Sequence, residues 1–330
     1  MSDFRSIVER FKGKRVVVFG DLVADVFVYG EISRISREAP VLILNHRETQ
    51  VVPGGGANAV HNLWALGAKP VPVGMVGDDS EGQQLVEFFS RLGIDVSGIH
   101  VAKSYRTPTK MRILAGAVHS QRQQIVRIDS GGTIEEDKSR DGIEQKLKIA
   151  LNDADGFLVS DYGYSLVTPY LVSKVRKDSI PATIDSRFSM MEFSKMTAAT
   201  PNEPEVEAAL GISIGNDASK LEWAGRTLLR KLQHDALLIT RGKDGMALFE
   251  RGKKTIHIPI HGTDEIADVT GAGDTVIATF TLALAAGASH YDAARLANYA
   301  GGIVVMKYGT RPVMYDELVK AVAEENEGAV

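Results

Sequence analysis

Short apolar runs alternate with helical patterns along most of this chain, and that alternation does most to restrict its fold. Arg15–Asp21 reads as a buried strand ending in a polar loop. Similar runs recur at Val71–Val76, Gly156–Ser160, Ala182–Asp185, Ala236–Thr240 and Met246–Phe249. Apolar residues at helical spacing lie between several of them, at Ala57–Leu66, Glu81–Leu92, Ile143–Leu151, Thr168–Arg176 and Ala218–Leu232. Apolar strands joined by helices predict an α/β fold with a mainly parallel sheet covered on both faces. In such sheets ligands gather beyond the carboxyl ends of the strands. Residues 1–330 are read as one domain.

Two stretches break the alternation. Val26–Tyr29 with Val41–Arg47, and Thr109–Leu114 with Gln124–Ile128, each read as strand, turn, strand with no helix behind them. They predict a small β-layer, a lid, inserted at residues 25–50 and 105–130. Two ordinary edge hairpins are the alternative. Val276–Glu325 is expected to be mostly helical, with a polar, frayed tail at Glu324–Val330.

Composition narrows the class. Hydrophobic residues make up 44% and charged residues 24%, ordinary for a globular protein. The net charge of −4 offers no basic field for nucleic acid or an anionic membrane. With no cysteines there is neither a disulfide nor thiolate-bound zinc. Met1–Lys14 lacks an apolar signal core, and Val276–Gly287 is too short to span a bilayer. A soluble, cytoplasmic protein is expected.

Asp268-Val269-Thr270-Gly271-Ala272-Gly273-Asp274-Thr275 precedes an apolar helical run. N–H groups at a helix start are unpaired and carry partial positive charge, and glycines let an anion approach them. Asp274 adds a carboxylate at the same place. Donors for a moving phosphoryl group beside a base for a hydroxyl are what a kinase needs. The bland alternative is a common Gly-x-Gly turn with a first-turn aspartate.

Pro53-Gly54-Gly55-Gly56-Ala57-Asn58-Ala59 also precedes a helix. Alone it fits G-x-G-x-x-A with Asp78 and Asp79 following, a dinucleotide fingerprint. That fingerprint belongs at the first strand–helix turn, whereas the first strand here ends at Gly20-Asp21. Pro53 is also expected to interrupt the strand leading in. A sugar site fits better: Gly55 and Gly56 admit a polyol closely, and Asn58 offers a donor and an acceptor. Asp21 and Asp25 flank the end of the first strand and can accept bonds from vicinal hydroxyls, or simply cap the loop.

Asn202-Glu203-Pro204-Glu205 joins a strand to a helix. Asn202 and Glu205 can hold a hydrated magnesium ion, cap the helix, or do both. Thr240-Arg241-Gly242-Lys243-Asp244-Gly245 is either a tight hairpin or a phosphate-side loop. No Walker loop, protein-kinase motif, H-E-x-x-H or G-x-S-x-G occurs.

Gly54–Asn58, Asn202–Glu205 and Asp268–Asp274, in this order, resemble signatures of the ribokinase-like (PfkB) family of carbohydrate kinases. The likeness covers nearly the whole chain. It implies a three-layer α/β/α sandwich with a β-sheet lid. Within the family the likeness is greatest to kinases of D-glycero-β-D-manno-heptose 7-phosphate, through Gly20–Asp25, Ser33–Val41, Thr109–Leu114 and Gln124–Asp129. Such kinases occur alone or fused to a nucleotidyltransferase; this chain ends near the kinase boundary, so kinase activity alone is expected.

The resemblance implies Asp274 as base with Gly271, Ala272 and Gly273 as anion donors. It implies ATP at Asn202, Thr240, Gly242, Gly245, Gly273 and Asn298. Magnesium would be held through water by Asn202 and Glu205, and a potassium-type cation near Asp268 and Thr270. The acceptor would meet Asp21, Asp25, Gly55, Gly56, Asn58, Lys110, Arg112, Arg127 and Asp161. Homodimers through the lids are expected. Two positions depart from the heptose kinases: they read S-D-Y-A-K-G and D-P-K where this chain has Ser160–Ser165 and Asp185-Ser186-Arg187, so two lysines are replaced by Tyr164 and Arg187. Arginine still pairs with phosphate, in a different geometry.

Overall fold

The structure, a computed structural model, describes residues 3–116, 123–132, 134, 138–262 and 268–328. In chain order its strands are β1 (Arg15–Gly20), β2 (Leu22–Ile35), β3 (Leu42–Gly55), β4 (Lys69–Gly77), β5 (Ile99–Ala102), β6 (Thr109–Gly116) and β7 (Gln123–Ser130). There follow β8 (Gly156–Asp161), β9 (Ala182–Ser186), β10 (Ala198–Ala199), β11 (Ala236–Thr240), β12 (Met246–Glu250) and β13 (Ile256–Ile258). The large sheet runs β13-β12-β11-β10-β9-β8-β1-β4-β5. It is parallel from β11 to β5, with an antiparallel edge at β12 and β13.

Strand β1 shows why this sheet is covered on both faces. Val16 and Val18 belong to one apolar cluster, shared with Leu63 of the Gly56–Ala65 helix and with Ile277 and Phe280 of the Ala272–Ala285 helix. Val17 and Phe19 point the other way, into a cluster with Leu147 of the Lys138–Ala150 helix and Leu228 of the Ala218–Leu232 helix. Alternate side chains of one strand thus anchor two helical layers, each fully buried side chain contributing roughly 1.5–3 kcal/mol. Among the described residues no helix is long and apolar enough to cross a membrane.

The smaller sheet has the order β3-β2-β6-β7. The two predicted strand pairs are joined, because β2 runs parallel to β6. Residues 117–122 of the predicted lid lie outside the described residues. Two expectations need correction. Strand β3 does lead into a helix, which starts directly at Gly56. Pro53 does not interrupt that strand, because it lies in β3 opposite Ala24. β3 is an edge strand, and the Ala24 N–H points away from it to Pro108 O at 2.8 Å. A residue without an N–H costs nothing in that position. Strands β5, β10 and β13, of two to four residues, are too short for an apolar run to reveal.

Candidate active site

The Ala272–Ala285 helix is entered through Gly271, whose φ of +78° suits glycine. A Cβ there would fall 2.6 Å from Asn58 Nδ2, so close approach requires glycine as well. The Ala272 N–H already donates to Val269 O at 3.2 Å. Among the described residues the N–H groups of Gly271 and Gly273 have no partner, so the predicted set of three anion donors is reduced to these two in this state.

Asp274, in the first turn, is 3% exposed. Asn58 Nδ2 donates to its Oδ2 at 2.9 Å, and the Tyr162 hydroxyl donates to its Oδ1 at 2.7 Å. Burial pushes the Asp274 carboxyl up to about 6, while the bonds from Asn58 and Tyr162 and the charge of Lys110 pull it down. The opposing effects leave a carboxylate that is mostly ionised at neutral pH.

A cavity of about 430 Å³ opens at Asp274. Its walls include Asp25, Gly55, Lys110, Arg112, Arg127 and Asp161 from the predicted set. It also takes in Tyr162, Asp185 and Arg187. A second cavity of about 540 Å³ is lined by Asn202, Thr240, Gly242, Gly245, Gly273 and Asn298. The two share Asn202, Thr240 and Gly273, so the helix start sits where they meet.

Asp21, Gly56 and Asn58 do not line the first cavity. The Asn58 amide is committed to protein: its Nδ2 bonds Asp274, and its Oδ1 accepts from Asn62 at 3.1 Å. The glycines also face protein. A Cβ on Gly54 would fall 2.7 Å from the Asp25 carboxyl carbon, one on Gly55 3.1 Å from the Tyr162 ring, and one on Gly56 3.0 Å from Asp21 O. Gly54 and Gly56 thus pack against the Asp25 side chain and the Asp21 backbone, while Gly55, beside the Tyr162 ring, also lines the first cavity.

The cations differ in how free they are. Arg112 Nη1 pairs with Asp25 Oδ1 at 2.8 Å, both side chains being nearly buried, and Thr310 donates to Asp25 Oδ2 at 3.0 Å. Arg127 grips Asp129 through two bonds of 2.8 Å on the outer sheet. Lys110 is 8% exposed, and its Nζ lies 4.2 Å over the Tyr162 ring. Burial lowers its pKa, and Asp25 and Asp274 oppose that shift. Of the two departures from the heptose pattern, Arg187 lines the cavity and Tyr164 does not.

The acidic groups cluster. Asp161 accepts bonds from Gly163 N at 3.0 Å, Ser186 Oγ at 2.7 Å and Ser189 Oγ, which ties its carboxylate to its own loop and to the end of β9. Asn202 and Glu205 form a reciprocal capping box, each accepting the other's N–H at 2.9 Å. Burial and the neighbouring Glu205, Asp274 and Asp161 raise the Asp185 carboxyl well above the usual range. Glu205 is raised by burial as well. Sequence reading missed Asp185 and Tyr162, whose roles depend on contacts far away in the chain. Asp268, expected near a cation, ties two loops by accepting the N–H groups of Thr270 at 2.9 Å and Gly309 at 3.0 Å.

Asp21 lies behind the cavity wall. Its Oδ2 accepts the N–H groups of Tyr162 at 2.8 Å and Tyr164 at 3.3 Å, and its buried Oδ1 has no partner among the described residues. Burial raises its pKa to about 7. Between the unfolded value of 3.8 and that figure, the folded state holds a proton that the unfolded state has released. The associated stability is full below about pH 4 and is lost as pH rises through 7. Asp274 acts in the same direction. Thermal melts should therefore show stability falling from pH 5 to 8, and Asp21→Asn should flatten the fall. An unchanged slope in the variant would show that Asp21 is not the titrating group.

Known proteins resemble this chain in sequence and in fold. The model of the "pfkB family carbohydrate kinase" matches residues 14–160 and 170–316. The bifunctional protein HldE of Geobacter sulfurreducens is 42% identical over 316 residues, covering 92% of this chain and 62% of its own length. That of Coxiella burnetii is 36% identical over 324 residues, covering 96% of this chain and 65% of its own. The chain thus spans less than two thirds of these relatives. Among solved structures, Arabidopsis thaliana ribokinase complexed with ribose and ATP superposes with a TM-score of 0.71 at 21% identity, over 94% of this chain and 99% of that one. The tetrameric inhibited form of Escherichia coli phosphofructokinase-2 gives 0.77 at 17%, over 95% and 99%. The fold is ribokinase-like, the family model covers most of the sequence, and the chain belongs to the pfkB family of carbohydrate kinases.

Proposed function

We propose that this chain transfers the γ-phosphoryl group of ATP to a hydroxyl of a sugar phosphate, O1 of D-glycero-β-D-manno-heptose 7-phosphate. The observation that carries the reading is the place of Asp274, buried at a helix start where two cavities meet. The acceptor occupies the cavity with Lys110 and Arg187, and ATP the cavity with Thr240, Gly242, Gly245 and Asn298. The acceptor oxygen forms a bond to the γ-phosphorus, the bond to the β,γ-bridging oxygen breaks, and ADP leaves. Asp274 takes the hydroxyl proton. The N–H groups of Gly271 and Gly273 and the Lys110 ammonium stabilise charge on the transferring group.

Several features support the finer points. Four cations, Lys110, Arg112, Arg127 and Arg187, line the acceptor cavity, more than a neutral sugar requires. The HldE relatives match over most of this chain. Burial raises the pKa of both Asp185 and Glu205, and Glu205 raises Asp185 further, which fits acidic groups facing a cation. They, with Asn202, would hold the water shell of a magnesium ion that neutralises the ATP phosphates. Among the described residues no group of three acidic or histidine side chains could hold a metal unaided. A potassium-type cation near Asp268 and Thr270 belongs to the same reading. So does a homodimer through the smaller sheet, whose outer part exposes Ile32, Ile35, Val41 and Leu42.

ATP consumption across a panel of sugars, sugar phosphates and nucleosides tests this, with Asp274→Asn as the blank. Heptose 7-phosphate should exceed unphosphorylated sugars in kcat/KM by about 100-fold or more, the scale of a well-placed charged contact. A preference for an unphosphorylated acceptor would keep the kinase and remove the heptose phosphate. Tight NAD binding without ATP consumption would favour an oxidoreductase instead.

A further inference from the structure

Tyr162 is the nearest side chain to the reacting centre to which no role has yet been given. Its hydroxyl donates to Asp274 Oδ1 at 2.7 Å, while Asn58 holds Oδ2 at 2.9 Å. The ring sits in a fitted slot. On one side Gly55 leaves the space that a Cβ would fill, at 3.1 Å from ring carbon Cε2. The Lys110 ammonium lies over the ring, 4.2 Å from its centre. The Tyr162 backbone N–H is held by Asp21 Oδ2 at 2.8 Å. Elements from four parts of the chain therefore fix one phenol against one carboxylate oxygen.

We propose that Tyr162 is a positioning residue for phosphoryl transfer: its phenol locks the rotation of the Asp274 carboxylate and keeps that carboxylate ionised. The inference rests on Asp274 being the base. A phenol that donates to Oδ1 favours the ionised form of the acid. With both oxygens held by side-chain donors, the carboxylate presents its remaining lone pairs in one orientation only. The charged groups facing Asp274 are Lys110 from β6, Asp25 from β2 and Asp185 from β9, and a change confined to Tyr162 leaves all three in place. Asp21 acts on Asp274 only through the loop it clamps.

Tyr162→Phe removes the hydroxyl and keeps the ring. With the best acceptor from the panel above, kcat should fall by about 10- to 100-fold, the scale of lost alignment. KM for both substrates should stay within about threefold. The acidic limb of kcat against pH should move up by half a unit or more. Replacing Tyr162 with 3-fluorotyrosine, a stronger donor, should move the limb down and retain kcat. An acidic limb that stays in place in both variants overturns the proposal, as does a loss confined to KM. If Tyr162→Phe is inactive, the limb of the fluorotyrosine enzyme decides alone. Failure of the underlying reading looks different: Asp274→Asn would then turn over like the wild type.

Discussion

Asp274→Asn is expected to bind ATP and acceptor with near wild-type affinity and to lose turnover on the order of 10³- to 10⁴-fold. Asparagine is close in shape and keeps one oxygen for a donor from Asn58 or Tyr162, but it cannot take a proton from a hydroxyl. The variant also removes a buried ionisable group whose pKa lies at about 6. It should therefore be no less stable than the wild type at pH 8, where ionised Asp274 is a burden. Nucleotide binding by calorimetry and single-turnover ATP consumption separate the two effects. Turnover within tenfold of wild type would rule out Asp274 as the base; lost binding would point to damage at the helix start instead.

Arg112→Met should destabilise the fold by about 3–5 kcal/mol, because it leaves Asp25 buried with Thr310 as its one remaining side-chain partner among the described residues. Asp25 lies on β2 and Arg112 on β6, so the ion pair joins two strands of the smaller sheet, and the bond from Thr310 ties them to the C-terminal part of the chain. Arg127→Met, on the same sheet, is the control. Its pair with Asp129 is over 40% exposed on both sides and should be worth about 0–1 kcal/mol. Urea titrations compare the two directly. Similar losses for both would mean that the Asp25 pair is better solvated than its burial indicates.

The large sheet was legible because its strands are long apolar runs, as in Val16–Phe19, which need helices on both sides. The helix start at Gly271 was legible because glycine there answers two demands at once. The acceptor side was less so. Gly54, Gly55 and Gly56 advertise close approach, but a sequence does not say what approaches; here it is Asp25, Tyr162 and the backbone of Asp21. Asp21 and Asn58 have the chemistry of sugar ligands, yet Asp21 Oδ2 and the Asn58 amide are bonded to protein and neither residue lines the first cavity. Tyr162 stood inside a quoted motif without a role, since its partner lies 112 positions away.

The smaller sheet has a mechanical consequence. Strands β2 and β3, 14 residues each, span about 48 Å, and Leu22–Phe27 are buried while the far ends are exposed. They form a beam clamped at one end, with the clamp at Asp21 and Gly55, directly behind Tyr162. The pairing slips between Tyr29 and Gly30 and again between Ile32 and Arg34. Bulges of this kind are the compliant points of a ribbon. Both lie outboard of the clamp, so a load on the free end bends the ribbon there before it tilts the ring that holds Asp274. The outer sheet can adjust to whatever it meets while Asp274 keeps its alignment.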